Sequence, residues 1–229
     1  IKELSIFQRR EMGVTNSVSN LMVTSYNNMT FIGDDLPCGV YVLLITVISD
    51  LDLKFGRFKK GKVIHLPCSD YLYIGSALGK KGSTSLARRL VRHATRTSDQ
   101  KPHYIRSQML EFFPNIQLGK GSLHPNTPKK LFWNIDHLLN CAQVEIIGLV
   151  SLRIEAKLEA ETGKQLELRP DTRVIEKGLG ANDLRGNTHL LQFVNGKKNW
   201  PLLVDSLVQT WSTHCSKCFL PLISSDKFL

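Results

Sequence analysis

Tyr73-Ile74-Gly75-Ser76-Ala77, followed after a short break by Ser85-Leu86-Ala87-Arg88-Arg89-Leu90-Val91-Arg92-His93, reads as a strand end, a glycine-bearing loop and a cationic helix. The break is Lys80-Lys81-Gly82-Ser83, and Ser83, Thr84 or Ser85 can cap the helix that follows. Leu86, Leu90 and Val91, with Ala87 and Ala94, give that helix an apolar stripe. Arg89, His93 and Arg96 recur at helical spacing and share one side. A tyrosine at a strand end facing an arginine and a histidine one turn apart suits a phosphate. Arginine binds two oxygens at once and stays charged, and small residues such as Gly75 and Ser76 let a phosphate approach backbone N–H groups.

Upstream, Gly39-Val40-Tyr41-Val42-Leu43-Leu44-Ile45-Thr46-Val47-Ile48 is apolar on both parities and rich in β-branched residues. It predicts a central strand covered on both faces. Leu51 to Phe58 and Val63 to Pro67 flank Lys59-Lys60-Gly61-Lys62 and predict a hairpin. The resulting meander places Tyr41 and Tyr73 on neighbouring strands. Residues 1–36 are polar, weakly periodic and read as a partly ordered lead-in ending at the turn signal Asp34-Asp35-Leu36-Pro37.

Downstream, residues 97–131 read as an insertion with a short helix from Tyr104 to Phe113 and a loop rich in Gly, Pro and Lys. Trp133 to Leu139 predicts a short helix, and Val144 to Leu149 a strand. Ser151 is expected to cap a helix running to about Thr162, with Glu155 and Glu159 on one face and Ile154 and Leu158 inward. A tight loop, Gly178 to Asp183, leads to a last strand, Thr188 to Phe193, and a helix is expected from Trp200 to Trp211. The domain therefore spans 37–195, with 196–229 as a C-terminal helix and tail.

The 229 residues suffice for one sizeable domain, and a hydrophobic fraction of 42% argues against wholesale disorder. A formal charge of +10 favours a polyanionic partner, because each phosphate neutralised by Lys or Arg releases condensed counterions. The longest apolar run, Val42 to Ile48, is far short of a membrane span. Ile1-Lys2-Glu3 opens no apolar signal core, and five cysteines lack framework spacing. Both lead us to expect reduced thiols and a cytoplasmic location.

Several residues carry two readings. Tyr41 and Tyr73 can be a general base and a phosphate ligand, or simply strand tyrosines; a base role needs a nearby cation to lower the phenol pKa. Glu155 can bind Mg²⁺, which accepts one or two carboxylates and keeps its waters, or belong with Glu159 and Glu161 to a solvated face. Cys215 and Cys218 form a Cys-x-x-Cys, but a structural zinc needs two further ligands and Cys38, Cys68 and Cys141 are scattered.

Gly39-Val40-Tyr41, then Tyr73-Ile74-Gly75, then Arg89-Leu90-Val91-Arg92-His93 resembles the GIY-YIG endonuclease superfamily. More narrowly, the chain resembles an uncharacterised subfamily with a Tyr-Val-Gly-Ser-Ala strand end, a Trp-His-Ile-Asp segment, an Arg-Leu-Glu-Cys helix start and a Gly-Phe-Gly-x-Ser-Asp loop before His-Leu. Those motifs stand here as Tyr73 to Ala77, Trp133 to Asp136, Arg153 to Ala156, Gly178 to Asp183 and His189-Leu190. The resemblance covers about Leu36 to Phe193. The tyrosines are more widely spaced than is usual in the superfamily, which the added hairpin accounts for. Asn134, Ala156, Leu184 and Gly186 replace His and Cys positions of the subfamily.

The resemblance implies an α+β fold: a small antiparallel β-sheet, with the added hairpin, flanked by helices. It implies a phosphodiester hydrolase using Mg²⁺ or Mn²⁺ on DNA, possibly RNA, in a repair- or restriction-like role. By position, Tyr41 is the candidate base, Tyr73 a phosphate or nucleophile contact, Arg89 the phosphate clamp assisted by His93, Glu155 the metal ligand and Asn182 a supporting residue. Gly75, Ser76, Lys80, Lys81 and Arg92 line the substrate side. The alternative is a non-catalytic nucleic-acid-binding module gripping the backbone with the basic helix, Lys59 to Lys62 and Lys129-Lys130. A third reading is a structural protein whose charge is incidental.

Overall fold

Every residue of Gly39–Val47 is buried, and the sheet is laid out on either side of that strand. The computed structural model describes residues 22–33, 35–97, 100–123, 128–180 and 186–218. Its strands are β1 (Val23–Tyr26), β2 (Met29–Gly33), β3 (Gly39–Val47), β4 (Leu51–Lys54), β5 (Val63–Leu66), β6 (Ser69–Ala77), β7 (Val144–Arg153), β8 (Thr172–Val174) and β9 (Leu190–Phe193). Its helices are α1 (Leu86–His93), α2 (Ile105–Phe112), α3 (Asn134–Leu139), α4 (Glu159–Glu167) and α5 (Gly196–Cys218).

The fold is α+β. Seven strands form one sheet in the order β1-β2-β7-β3-β6-β9-β8, and β4 and β5 form the expected hairpin as a sheet of their own. Pairing is antiparallel except between β2 and β7. The sheet is thus larger than the small one implied by the resemblance.

Period-two alternation sorts the apolar residues onto two faces. Tyr41, Leu43, Ile45, Tyr71 and Tyr73 pack with residues of α1, α2 and α3. Val40, Val42, Leu44, Leu72 and Ile74 pack with Leu166 of α4 and Trp200, Leu203, Leu207 and Trp211 of α5. The all-apolar run in β3 follows from this double cover.

Three expectations are corrected. Residues 22–33, within the supposed lead-in, are β1 and β2; Phe31 and Ile32 are buried, on opposite faces of the sheet. The helix expected at 151–162 does not begin at Ser151. Strand pairing carries β7 through Arg153, Ser151 donates to the Val40 carbonyl at 2.9 Å, and the helix starts at Glu159. A partner strand on each side outcompeted the local capping signal. Arg96 lies beyond the end of α1 and turns inward, donating to the Val144 carbonyl and the Lys101 carbonyl, away from the side expected. Within the insertion, the helix expected from Tyr104 to Phe113 is α2, and Met109, Phe112, Phe113 and Leu118 join the core.

The final helix extends beyond the expected Trp200–Trp211 at both ends, and β8 is an edge strand too short to announce itself. Asn182 and the side chains of Cys215 and Cys218 lie outside the described residues. Among the described residues, no helix is long and apolar enough to cross a membrane.

Candidate active site

β3 and β6 pair so that Tyr41 lies opposite Gly75 and Tyr73 opposite Leu43. Both tyrosines point to the face covered by α1, with ring centroids 6.4 Å apart. The Tyr41 ring crosses Gly75 so closely that a Cβ there would sit 2.5 Å from the hydroxyl oxygen and 2.6 Å from Cζ. Gly75 is therefore a glycine because a neighbouring ring occupies its side-chain space, whatever it does for a ligand.

From α1, His93 reaches the same point. Its Nε2 lies 2.8 Å from the Tyr41 hydroxyl, and its ring packs edge-on to Tyr73 with centroids 5.7 Å apart. His93 is fully buried and, among the described residues, its Nδ1 has no hydrogen-bond partner. A buried unpaired N–H costs more than an unpaired lone pair. The proton therefore belongs on Nε2, donated to Tyr41, which frees the phenolic O–H to donate elsewhere.

Arg89 lies one helical turn before His93. Its guanidinium sits over the Trp133 ring, 4.8 Å from the centroid, and it remains half-buried. Burial alone would weaken its charge, but its surroundings, the Glu159 carboxylate among them, outweigh that and keep it charged.

Glu159, the first residue of α4, approaches from the opposite side of the sheet. β9 stops pairing at Tyr73, so the margin of β6 beyond it is left to side chains. There the Ser76 hydroxyl donates to Glu159 Oε2, and the His189 carbonyl accepts from the Ile74 N–H at 2.9 Å. His189 Nδ1 is 3.0 Å from Glu159 Oε1, off the line of a good hydrogen bond.

The charges interlock. Burial drives the Tyr41 phenol upward, against the pull of Arg89, and Tyr73 goes well above its ordinary value for the same reason, helped by Tyr41 and Glu159. His93 is pushed well below the usual histidine range by burial and is neutral. Burial opposes ionisation of Glu159, but His189, Ser76 and Arg89 outweigh it and hold the carboxylate below its usual value. The site is thus two protonated phenols, a neutral imidazole, a fixed guanidinium and an ionised carboxylate.

The remaining sequence candidates sit differently. Glu155 is exposed in the bend after β7 and pairs with Lys80 at 2.7 Å. Glu159 is among the strongest charges acting on Tyr41, Tyr73 and Arg89; Glu155 is not. Lys81 is exposed. Arg92 is turned away from the tyrosines and grips Asp136 with two hydrogen bonds of 2.9 and 2.7 Å. Lys59 and Lys62 both pair with Glu176, and Lys129 is buried, so much of the basic surface expected to grip a backbone is already engaged.

Glu159, His189 and Trp133 were not singled out as site residues on the sequence. A signal existed for each: Glu159 follows Glu155 by four residues, and the other two lie in the quoted motifs.

Residues 40–210 match the family described as Domain of unknown function DUF123. The chain belongs to the DUF123 family. No curated protein and no solved structure matches it. The DUF123 segment contains both tyrosines, Arg89, His93, Glu159 and His189, so the whole cluster lies inside the family domain. It starts within β3 and leaves out β1 and β2.

Among the described residues, no group of three or more His, Cys, Asp or Glu side chains could hold a metal ion. A hydrated Mg²⁺ or Mn²⁺ needs less: one carboxylate oxygen, with water and substrate oxygens completing the shell. Glu159 meets that requirement, being ionised and with a side chain 24% exposed.

Proposed function

We propose that this DUF123 domain is a metal-dependent phosphodiester hydrolase acting on nucleic acid. The observation that carries this reading is the electrostatic coupling of Arg89 to the Glu159 carboxylate and to the two tyrosines, which four separate elements supply. Arg89 would hold the scissile phosphate and stabilise charge developing on it. Trp133 keeps that guanidinium from swinging out. Tyr41, with His93 donating to its oxygen, would have its own O–H to donate to a phosphate oxygen. Tyr73 stands beside it and excludes bulk solvent.

Glu159 would hold the divalent cation, which when bound supplies electrophilic polarisation of the phosphate. The resemblance pointed to Glu155 for that task; the electrostatics favour Glu159, and the two make different predictions. With supercoiled plasmid and Mg²⁺ or Mn²⁺, Glu159→Gln and Arg89→Ala should each lower cleavage by about 10²-fold or more, on the scale of losing one transition-state contact. Glu155→Ala should retain most activity. Full activity in Glu159→Gln removes this site; loss confined to Glu155→Ala returns the metal to Glu155.

A second reading, a non-catalytic binding module, is favoured by the burial of Tyr41 and the engagement of both Glu159 oxygens. It predicts salt-sensitive binding unaffected by metal or by Glu159→Gln.

A further inference from the structure

Phe132 is 74% exposed, yet its backbone N–H is tied to a buried carboxylate. Asp136, fully buried, accepts from the Phe132 N–H at 2.9 Å and from the Trp133 N–H at 2.8 Å with one carboxylate oxygen. Arg92 grips both oxygens of that carboxylate and also donates to the Lys130 carbonyl at 3.0 Å. Lys129, buried at the start of the segment, donates to the Thr95 carbonyl at 2.7 Å and lies 3.6 Å from Asp136. Burying Asp136 and Lys129, with Arg92 half-buried beside them, costs free energy that an ordinary loop does not require. The outcome of this arrangement is a large aromatic ring held outward in water.

The ring stands next to the candidate active site. Phe132 packs edge to face on Trp133, centroids 5.0 Å apart, and Trp133 carries Arg89 on its face. The exposed residues beside it are Leu131 and Lys130, an apolar and a cationic neighbour. An aromatic face, a cation and a phosphate clamp in sequence match the repeat of a nucleic-acid strand: base, backbone, phosphate.

We propose that Phe132 is a stacking platform for an unpaired nucleobase next to the phosphate held by Arg89, so that the substrate is single-stranded or carries an unpaired base at the cleavage point. This rests on the nucleic-acid reading above and narrows it. In a paired duplex the bases already stack on one another and offer the ring no face. In an unpaired strand a pre-positioned ring gains the full stacking energy with little ordering cost.

The test uses the full chain carrying Glu159→Gln, so that binding is read without cleavage. Oligonucleotides with 2-aminopurine at an unpaired position, and their fully paired counterparts, are titrated at low salt. The unpaired form should bind more tightly and its fluorescence should be quenched on binding. Phe132→Ala should weaken that binding roughly 5- to 100-fold, the range for loss of one base–aromatic stack, and abolish the quench. Phe132→Trp should restore both and Phe132→Leu neither. The slope of affinity with salt should stay unchanged, because no phosphate contact is removed.

Equal binding by Phe132→Ala, equal rescue by Leu and Trp, or preference for the paired form would each overturn the platform. So would an effect of Phe132→Ala on self-association alone. If Phe132-dependent binding is found but the wild-type chain cleaves nothing, the hydrolase reading fails and the platform stands. Cleavage with Phe132→Ala unaffected in binding gives the reverse.

Discussion

Tyr41 is protonated well past neutral pH, because burial outweighs the pull of Arg89. If it is the base, the reactive form is the phenolate, whose fraction grows about tenfold per pH unit below the pKa. The cleavage rate should then climb at about that slope across roughly pH 7 to 9, and Tyr41→Phe should flatten the profile at a low rate. A plateau at neutral pH would assign Tyr41 the donor role instead. The same ring predicts a packing effect. A methyl group at Gly75 would meet Tyr41 at 2.5 to 2.9 Å. Gly75→Ala should cost about 1–3 kcal/mol in urea unfolding. Removing the hydroxyl with Tyr41→Phe should relieve part of it in a double-mutant cycle. An additive cycle would mean that the two positions are further apart than the strand register places them.

At the scale of the element, the start of α3 depends on one buried carboxylate. Burial opposes ionisation of Asp136, but Arg92, Lys129 and the Phe132 N–H bring it down to about 2 from an ordinary 3.8. Lys129 moves the other way from a well-paired lysine: burial pulls it down to about 8, because it has a single carbonyl partner and a distant carboxylate. A depressed carboxylate contributes stability that is complete above its unfolded pKa and is lost as pH falls through the folded value. Asp136→Asn should therefore destabilise the chain by about 3–5 kcal/mol at neutral pH, the scale for breaking a buried pair. The difference from wild type should shrink as pH falls from about 4 toward 2. A gap constant across that window would show that Asp136 acts by shape rather than charge.

For the molecule as a whole, α5 is part of the core rather than a tail. Trp200, Leu203, Leu207 and Trp211 cover the sheet face made by Val42, Leu44, Leu72 and Val150. A chain ended at residue 195, the domain boundary drawn from composition, uncovers that face. Such a fragment should bind the dye ANS and lose dispersed amide signals, while Trp211→Ala in the full chain should cost about 3–5 kcal/mol. A well-folded fragment would mean that α5 is a separable appendage. The charge of +10 is likewise a whole-molecule quantity: pairing of Lys59, Lys62, Arg92 and Arg96 leaves less of it for a partner than the composition advertises.

What the chain order made legible was local. A doubly apolar run gave β3, two short runs flanking a glycine-bearing turn gave the β4–β5 hairpin, and a stripe with basic residues gave α1, because each signal lies within a few neighbouring residues. The tertiary structure alone decided which partners those elements meet. Ser151 is a cap by local chemistry and a strand residue because β3 lies beside it. Glu155 and Glu159 are equivalent along the sequence, yet β9 stops pairing at Tyr73, and Glu159 bonds Ser76 beyond it while Glu155 pairs with Lys80. Long-range pairing and burial select between residues that propensity cannot tell apart.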